Sequence, residues 1–124
     1  MEPARAETAD DIRVLVVDDE PLFVEMVHAL LTAEAGISVV ATARNGRLAV
    51  RLAEDLDPDV IVMDGIEATR VIRGRDPDAC VLILTGGTTP DDIDRARKAG
   101  AASYLTKDRI GTELIEQIRS LGSK

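Results

Sequence analysis

Tryptophan is absent from this 124-residue chain, and Phe23 and Tyr104 are its only aromatic side chains. A groove that stacks bases on rings is thereby excluded. With 15 Lys and Arg against 23 Asp and Glu, and a net charge of -8, so is a basic track for a nucleic-acid backbone. A ring sandwich around a flavin is lacking for the same reason. Cys80 is the only cysteine, so no internal disulfide can form, which fits a reducing compartment. Its place at the head of Cys80-Val81-Leu82-Ile83-Leu84 predicts a small, buried apolar residue. His28 is the only histidine, it falls opposite the apolar stripe of its helix, and no Ser-His-Asp constellation can be drawn around it. Long apolar runs are missing as well. Neither a membrane helix nor a signal peptide is expected, "MEPARAETADD" having no apolar centre, and the predicted location is cytoplasmic.

What remains is enough for one domain, with 45% hydrophobic residues to build its core. Residues 1–11 read as a flexible tail, 12–121 as the folded unit, and 122–124 as a second tail or the start of a linker. Short Val/Ile/Leu runs alternate with stretches of helical period. Val14–Val17, Ser38–Ala41, Val60–Met63, Val81–Leu84 and Ala102–Leu105 are the predicted strands, and their nearly unbroken apolar character predicts parallel pairing with cover on both faces. Pro21 opens a helix whose apolar stripe is Leu22, Phe23, Met26, Val27, Leu30 and Leu31, stopped by Gly36. Thr89-Pro90-Asp91-Asp92 caps another, ended by Gly100, and Leu114, Ile115, Ile118 and Leu121 mark the buried face of the last, ended near Gly122. The prediction is an α/β doubly wound parallel sheet of five strands.

Several predicted strand ends carry groups suited to phosphate and a hard cation: Asp18-Asp19, Asp64, Thr85 and, just past the fifth strand, Lys107. Open parallel sheets bind ligands at the carboxyl ends of their strands, so these groups should converge. Each has an ordinary role of its own. Asp18-Asp19-Glu20 before Pro21 suits a helix cap, Thr85 a strand-end hydroxyl, Lys107 a solvated loop charge and Tyr104 a half-buried strand residue. Their coincidence at one edge favours a site. Gly86-Gly87-Thr88-Thr89 lacks the spacing and lysine of a Walker motif and reads as a turn, and Arg95, Arg97 and Lys98 as a wet helix face.

From Ile12 to Leu121 the sequence resembles the receiver domain of bacterial two-component response regulators, most closely the NarL/LuxR type. The segments "IRVLVVDDEPLF", "DPDVIVMD", "GIEATRVIR", "VLILTGG" and "KAGAASYLTKD" carry the resemblance, in family order. It implies a flavodoxin-like (βα)5 fold with strand order 2-1-3-4-5. It also implies that Asp64 accepts phosphate from a sensor histidine kinase and that Asp18, Asp19 and Asp64 hold Mg²⁺. Thr85 is then the hydroxyl that moves to the phosphoryl group, Lys107 the ammonium that pairs with it, and Tyr104 the aromatic that reorients with Thr85. Such a domain is a switch and not an enzyme with turnover on other molecules. Its implied partners are the kinase, a DNA-binding output domain outside this chain, and a second copy in a homodimer; no nucleic acid or membrane is touched directly.

The sequence departs from the family at one place. A βα loop carrying Met-Pro normally follows the acceptor, whereas Asp64 is followed at once by Gly65-Ile66. Asp64 could also match a later aspartate in the family's Met-Asp-Gly, although the preceding strand run favours the acceptor. A connection this short lies at the lower limit of about 2 residues. The expectation is that the first turn of the following helix unwinds, and that the backbone carbonyl the family offers to Mg²⁺ two residues after the acceptor is lost. A phosphorylation-independent pseudo-receiver is the alternative function.

Overall fold

The structure, a computed structural model, describes residues 10–86 and 89–122. Most of the predicted N-terminal tail, Gly87 and Thr88 of the turn before the fourth helix, and the last two residues lie outside the described part. Five strands alternate with five helices: β1 Ile12–Val17, α1 Pro21–Thr32, β2 Ile37–Ala43, α2 Gly46–Leu56, β3 Val60–Met63, α3 Ile66–Arg75, β4 Val81–Thr85, α4 Pro90–Lys98, β5 Ser103–Thr106 and α5 Thr112–Gly122. A 3₁₀ turn, Lys107–Arg109, joins β5 to α5. All pairings are parallel and the order is β2-β1-β3-β4-β5. This is the flavodoxin-like doubly wound fold that the sequence predicts.

Alternation along the strands divides the core into two layers. Val14, Val16, Val62, Leu82 and Leu84 face Val27 and Leu31 of α1 and Leu114 and Ile118 of α5. Leu15, Val17, Ile61, Met63 and Ile83 face Ala49 and Val50 of α2, Ile72 of α3 and Ala96 of α4. Each Val, Leu, Ile or Met side chain among them, taken out of water, contributes about 1.5–3 kcal/mol before the entropy of ordering is subtracted. The pairs Val17–Met63, Met63–Ile83 and Thr85–Thr106 keep the strands' carboxyl ends level, which sets the site residues on one edge.

Local sequence accounts for most element ends. Thr89 accepts from the Asp92 amide and the Asp92 carboxylate accepts from the Thr89 amide, a reciprocal cap that starts α4. Gly100, at φ +98°, ends it in a conformation that side chains with a Cβ resist. The apolar stripe predicted for α1 is only partly buried. Val27 and Leu31 are covered and Phe23 and Leu30 pack at the margin, but Leu22 is 80% and Met26 47% exposed. The helix turns a narrower face to the sheet than the stripe implies, and Val24 joins that face. Cys80 is half-buried at the edge of the core and precedes β4, and burial raises its thiol pKa. His28 is exposed, as its position opposite the stripe predicts.

The short connection after β3 folds without unwinding α3. Gly65 is extended (φ 165°), so the chain reverses within two residues. The Thr69 amide and hydroxyl then both donate to the Gly65 carbonyl, at 3.1 and 2.7 Å, and close the first turn. Thr69 is fully buried, and Ala68 lies so near Gly46 that a Cβ built there would stand 2.8 Å from the Ala68 methyl. Seating of α3 against the start of α2 replaces the expected fraying. Among the described residues, no helix is long and apolar enough to cross a membrane.

Candidate functional site

The edge where β1, β3 and β4 end is built around Asp18. Its amide donates to the Ala43 carbonyl, and one carboxylate oxygen accepts from the Glu20 amide at 2.9 Å, so the side chain is fixed and buried. The helix cap that Asp18-Asp19-Glu20 suits does not form, because Glu20 is the N-cap of α1 and makes no side-chain cap bond; Asp18 instead closes a local turn onto the Glu20 amide while serving the site. The other oxygen, Oδ2, faces the Lys107 ammonium at 2.8 Å and has no other partner among the described residues.

Lys107 reaches this point from the 3₁₀ turn after β5. Its Nζ lies 3.0 Å from Glu20 and 3.4 Å from Asp64 Oδ2, and 4.5 Å from the centroid of the Phe23 ring. Burial alone would lower the ammonium pKa, but hydrogen bonds to Asp18 and Glu20 and the charges of Asp18 and Asp64 outweigh it. The net effect raises the pKa well above 10.5. Asp64 is tied to the end of β1 by its amide, which donates to the Val17 carbonyl at 3.3 Å, and its side chain is 40% exposed.

Carboxylate oxygens of Asp18, Asp19 and Glu20 lie within 4.8 Å of one another. Asp18, Asp19 and Asp64 also line one cavity of about 270 Å³ with Asn45 and Gly46. Hard oxygen donors, one of them a buried carboxylate oxygen with only a lysine opposite, fit Mg²⁺. The Ile66 carbonyl, two residues after Asp64, falls in the first turn of α3 and is directed along that helix. On the far side of Asp64 a second cavity, of about 650 Å³, is lined by Thr85 and Tyr104 among others. Thr85 and Tyr104 are hydrogen-bonded. Burial, followed by the charges of Asp92 and Asp64, raises the phenol pKa against the opposing effect of that bond.

The predicted residues thus fall into two adjoining sets: Asp18, Asp19 and Asp64 on the smaller cavity, with Lys107 held against Asp18 and Asp64, and Thr85 and Tyr104 on the larger, with Asp64 common to both. Glu20 and Phe23 are the contacts that sequence reasoning missed. The run of three acids held the signal for Glu20, which looks like a capping residue; Phe23 looks like core.

A model of the response regulator receiver domain matches residues 14–119. The chain belongs to this family. It is 37% identical over 115 residues to the transcriptional regulatory protein DegU of Brevibacillus brevis, covering 87% of this chain and 49% of DegU. A LuxR-family two-component response regulator from Aurantimonas superposes with a TM-score of 0.85 at 37% identity, covering 89% of this chain and 84% of that one. The signal receiver domain of a NarL from Mycobacterium tuberculosis gives 0.84 at 30% identity, with 90% and 95% covered. This receiver domain spans about half the length of the curated relatives it matches, 49% of DegU and 54% of YxjL from Bacillus subtilis. Membership places the chain with two-component signalling proteins.

Proposed function

We propose that this receiver accepts a phosphoryl group on Asp64 from a phosphohistidine of a sensor kinase and uses the product as a conformational signal. The observation that carries the reading is Lys107, whose single ammonium contacts Asp18 and Asp64 from two different strand ends. An Asp64 oxygen would attack phosphorus in line as the P–N bond breaks, and the imidazole leaves with the bonding pair. Lys107 offsets the charge of the equatorial oxygens. Asp18, Asp19 and Asp64 would hold Mg²⁺, which when bound supplies a positive charge beside the phosphoryl oxygens. Later attack by water on phosphorus returns the carboxylate.

A phosphoryl group brings about -1.5 to -2 charge to Asp64. Thr85, on the same cavity wall, can donate to it, and its hydrogen bond to Tyr104 links that event to β5. Readout would pass to an output domain, as the names of the transcriptional regulatory relatives suggest, or to a second copy of the chain.

One observation favours a second reading, a pseudo-receiver recognised without phosphorylation. The carbonyl of Ile66 is committed to α3, leaving the metal fewer protein ligands. Treatment with acetyl phosphate and Mg²⁺, read by intact mass, separates the two. The phosphorylated species is expected in the natural sequence and absent from Asp64→Asn; no modification of either protein favours the pseudo-receiver.

A further inference from the structure

The larger cavity beside Asp64 has a character that phosphoryl transfer does not use. About 650 Å³ opens between α2, α3 and α4, floored by Val50, Ile83 and Tyr104, with Ile66, Ala68 and Val71 on its α3 side. Val71 is 46% exposed, a large apolar side chain facing water. The volume lies in the range of about 300–1,000 Å³ typical of small-molecule sites, and an apolar floor with a few polar groups at its edge is their usual composition.

The sum of charges on the lining is negative, so the sign of a ligand depends on which charges lack a counter-charge. Five charged residues line the cavity: Asp64, Glu67, Asp92, Arg47 and Arg95. Asp64 and Glu67 have counter-charges, Lys107 and Arg70, the latter at 2.9 Å, while Asp92 accepts from the Thr89 amide and keeps its charge toward Tyr104. Arg47 and Arg95, both exposed, have no carboxylate partner among the described residues. They stand on different walls, one on α2 and one on α4. Between them α3 begins without a side-chain cap, so its first amides add positive potential on the same side. Asp64 and Asp92 both act on the half-buried Tyr104 phenol, which disfavours an anion there. A ligand would therefore lie with its apolar end on Tyr104 and its negative head at the rim.

We propose that this cleft binds a small amphipathic organic anion, an aromatic or branched aliphatic body bearing one carboxylate or sulfonate, held by Arg47 and Arg95. The inference goes beyond the signalling reading and requires no phosphoryl chemistry. Such a ligand would rest on the ring joined to Thr85, and so would favour one position of the pair.

The test uses anilinonaphthalene sulfonate as the probe and neutral phenylnaphthylamine as its uncharged counterpart. Titrations are followed by fluorescence and by amide proton–nitrogen correlation spectra, with circular dichroism to verify folding. Saturable binding of the sulfonate is expected, with shifts grouped at Gly46, Ile66, Val71 and Tyr104. The double variant Arg47→Gln/Arg95→Gln should weaken it roughly tenfold while the neutral probe changes less than about twofold. Val71→Glu, a substitution at an exposed position, should weaken both probes. Shifts on another surface, unchanged sulfonate affinity in the double variant, equal losses for both probes, or a dimer that the dye dissociates would each overturn the assignment. Phosphorylation of Asp64 is measured separately by mass, so failure of one reading leaves the other standing.

Discussion

Lys107 Nζ stands closer to Asp18 Oδ2, at 2.8 Å, than to Asp64 Oδ2, at 3.4 Å. The amine thus rests on the inner carboxylate, whose side chain is 1% exposed, and leans toward the proposed acceptor. Lys107→Gln would leave Asp18 buried without a counter-charge. Breaking a buried pair costs about 3–5 kcal/mol, and water at the lysine end should hold the loss near the lower value, measurable by urea unfolding at neutral pH.

The same contact predicts a dependence on pH. The folded protein raises the Lys107 pKa above the ordinary 10.5, so it binds this proton more tightly than the unfolded chain. The stability difference between the natural protein and Lys107→Gln should be complete below about pH 10.5 and shrink as pH rises toward the higher folded value. Unfolding curves from pH 7 upward would measure it. A difference that grew with pH would contradict the ion pair.

Tyr104 is the only tyrosine and there is no tryptophan, so phenolate absorbance reports one side chain. Its pKa is raised by burial, then by Asp92 and Asp64, and held back by the hydrogen bond to Thr85. Thr85→Ala should raise it further. Asp64→Asn, which removes a nearby negative charge, should lower it.

Two glycines should respond differently to alanine. At Gly100, φ is +98° and a new Cβ would meet Arg73 Nε at 2.8 Å, so Gly100→Ala should cost about 1–2 kcal/mol. At Gly65 the backbone is extended and the nearest contact is an ordinary 3.7 Å. Gly65→Ala should change stability by less than about 1 kcal/mol, a stiffer unfolded chain being set against a poorer helix cap. Thermal unfolding compares them directly.

The reciprocal cap at the start of α4 gives a simpler case. Thr89→Ala removes the acceptor for the Asp92 amide and should cost about 1 kcal/mol, whereas Thr89→Ser should restore most of it.

Strand positions, helix ends and the convergence of Asp18, Asp64 and Lys107 were legible because apolar runs, Pro21, Gly100 and the strand-end acids are local signals with fixed topological meaning, whereas the strand order came only with the family resemblance. What escaped the sequence depends on rotation and seating. Leu22 and Met26 continue the spacing of Val27 and Leu31, but only packing decides how wide a face α1 buries. The first turn of α3 holds because Thr69 bonds back to Gly65 and Ala68 meets Gly46, contacts between segments distant in sequence or disguised as ordinary helix residues. Glu20 and Phe23 joined the site for a like reason. The side chain they hold arrives from 87 residues away in the case of Glu20.

As proposed, Asp64 is the nucleophile of a Mg²⁺-assisted phosphoryl transfer. Intact mass after incubation with acetyl phosphate, with and without Mg²⁺, tests it most directly. One added phosphoryl group is expected only with the metal, lost in Asp64→Asn and strongly reduced in Asp19→Asn. Equal modification of Asp64→Asn would contradict it.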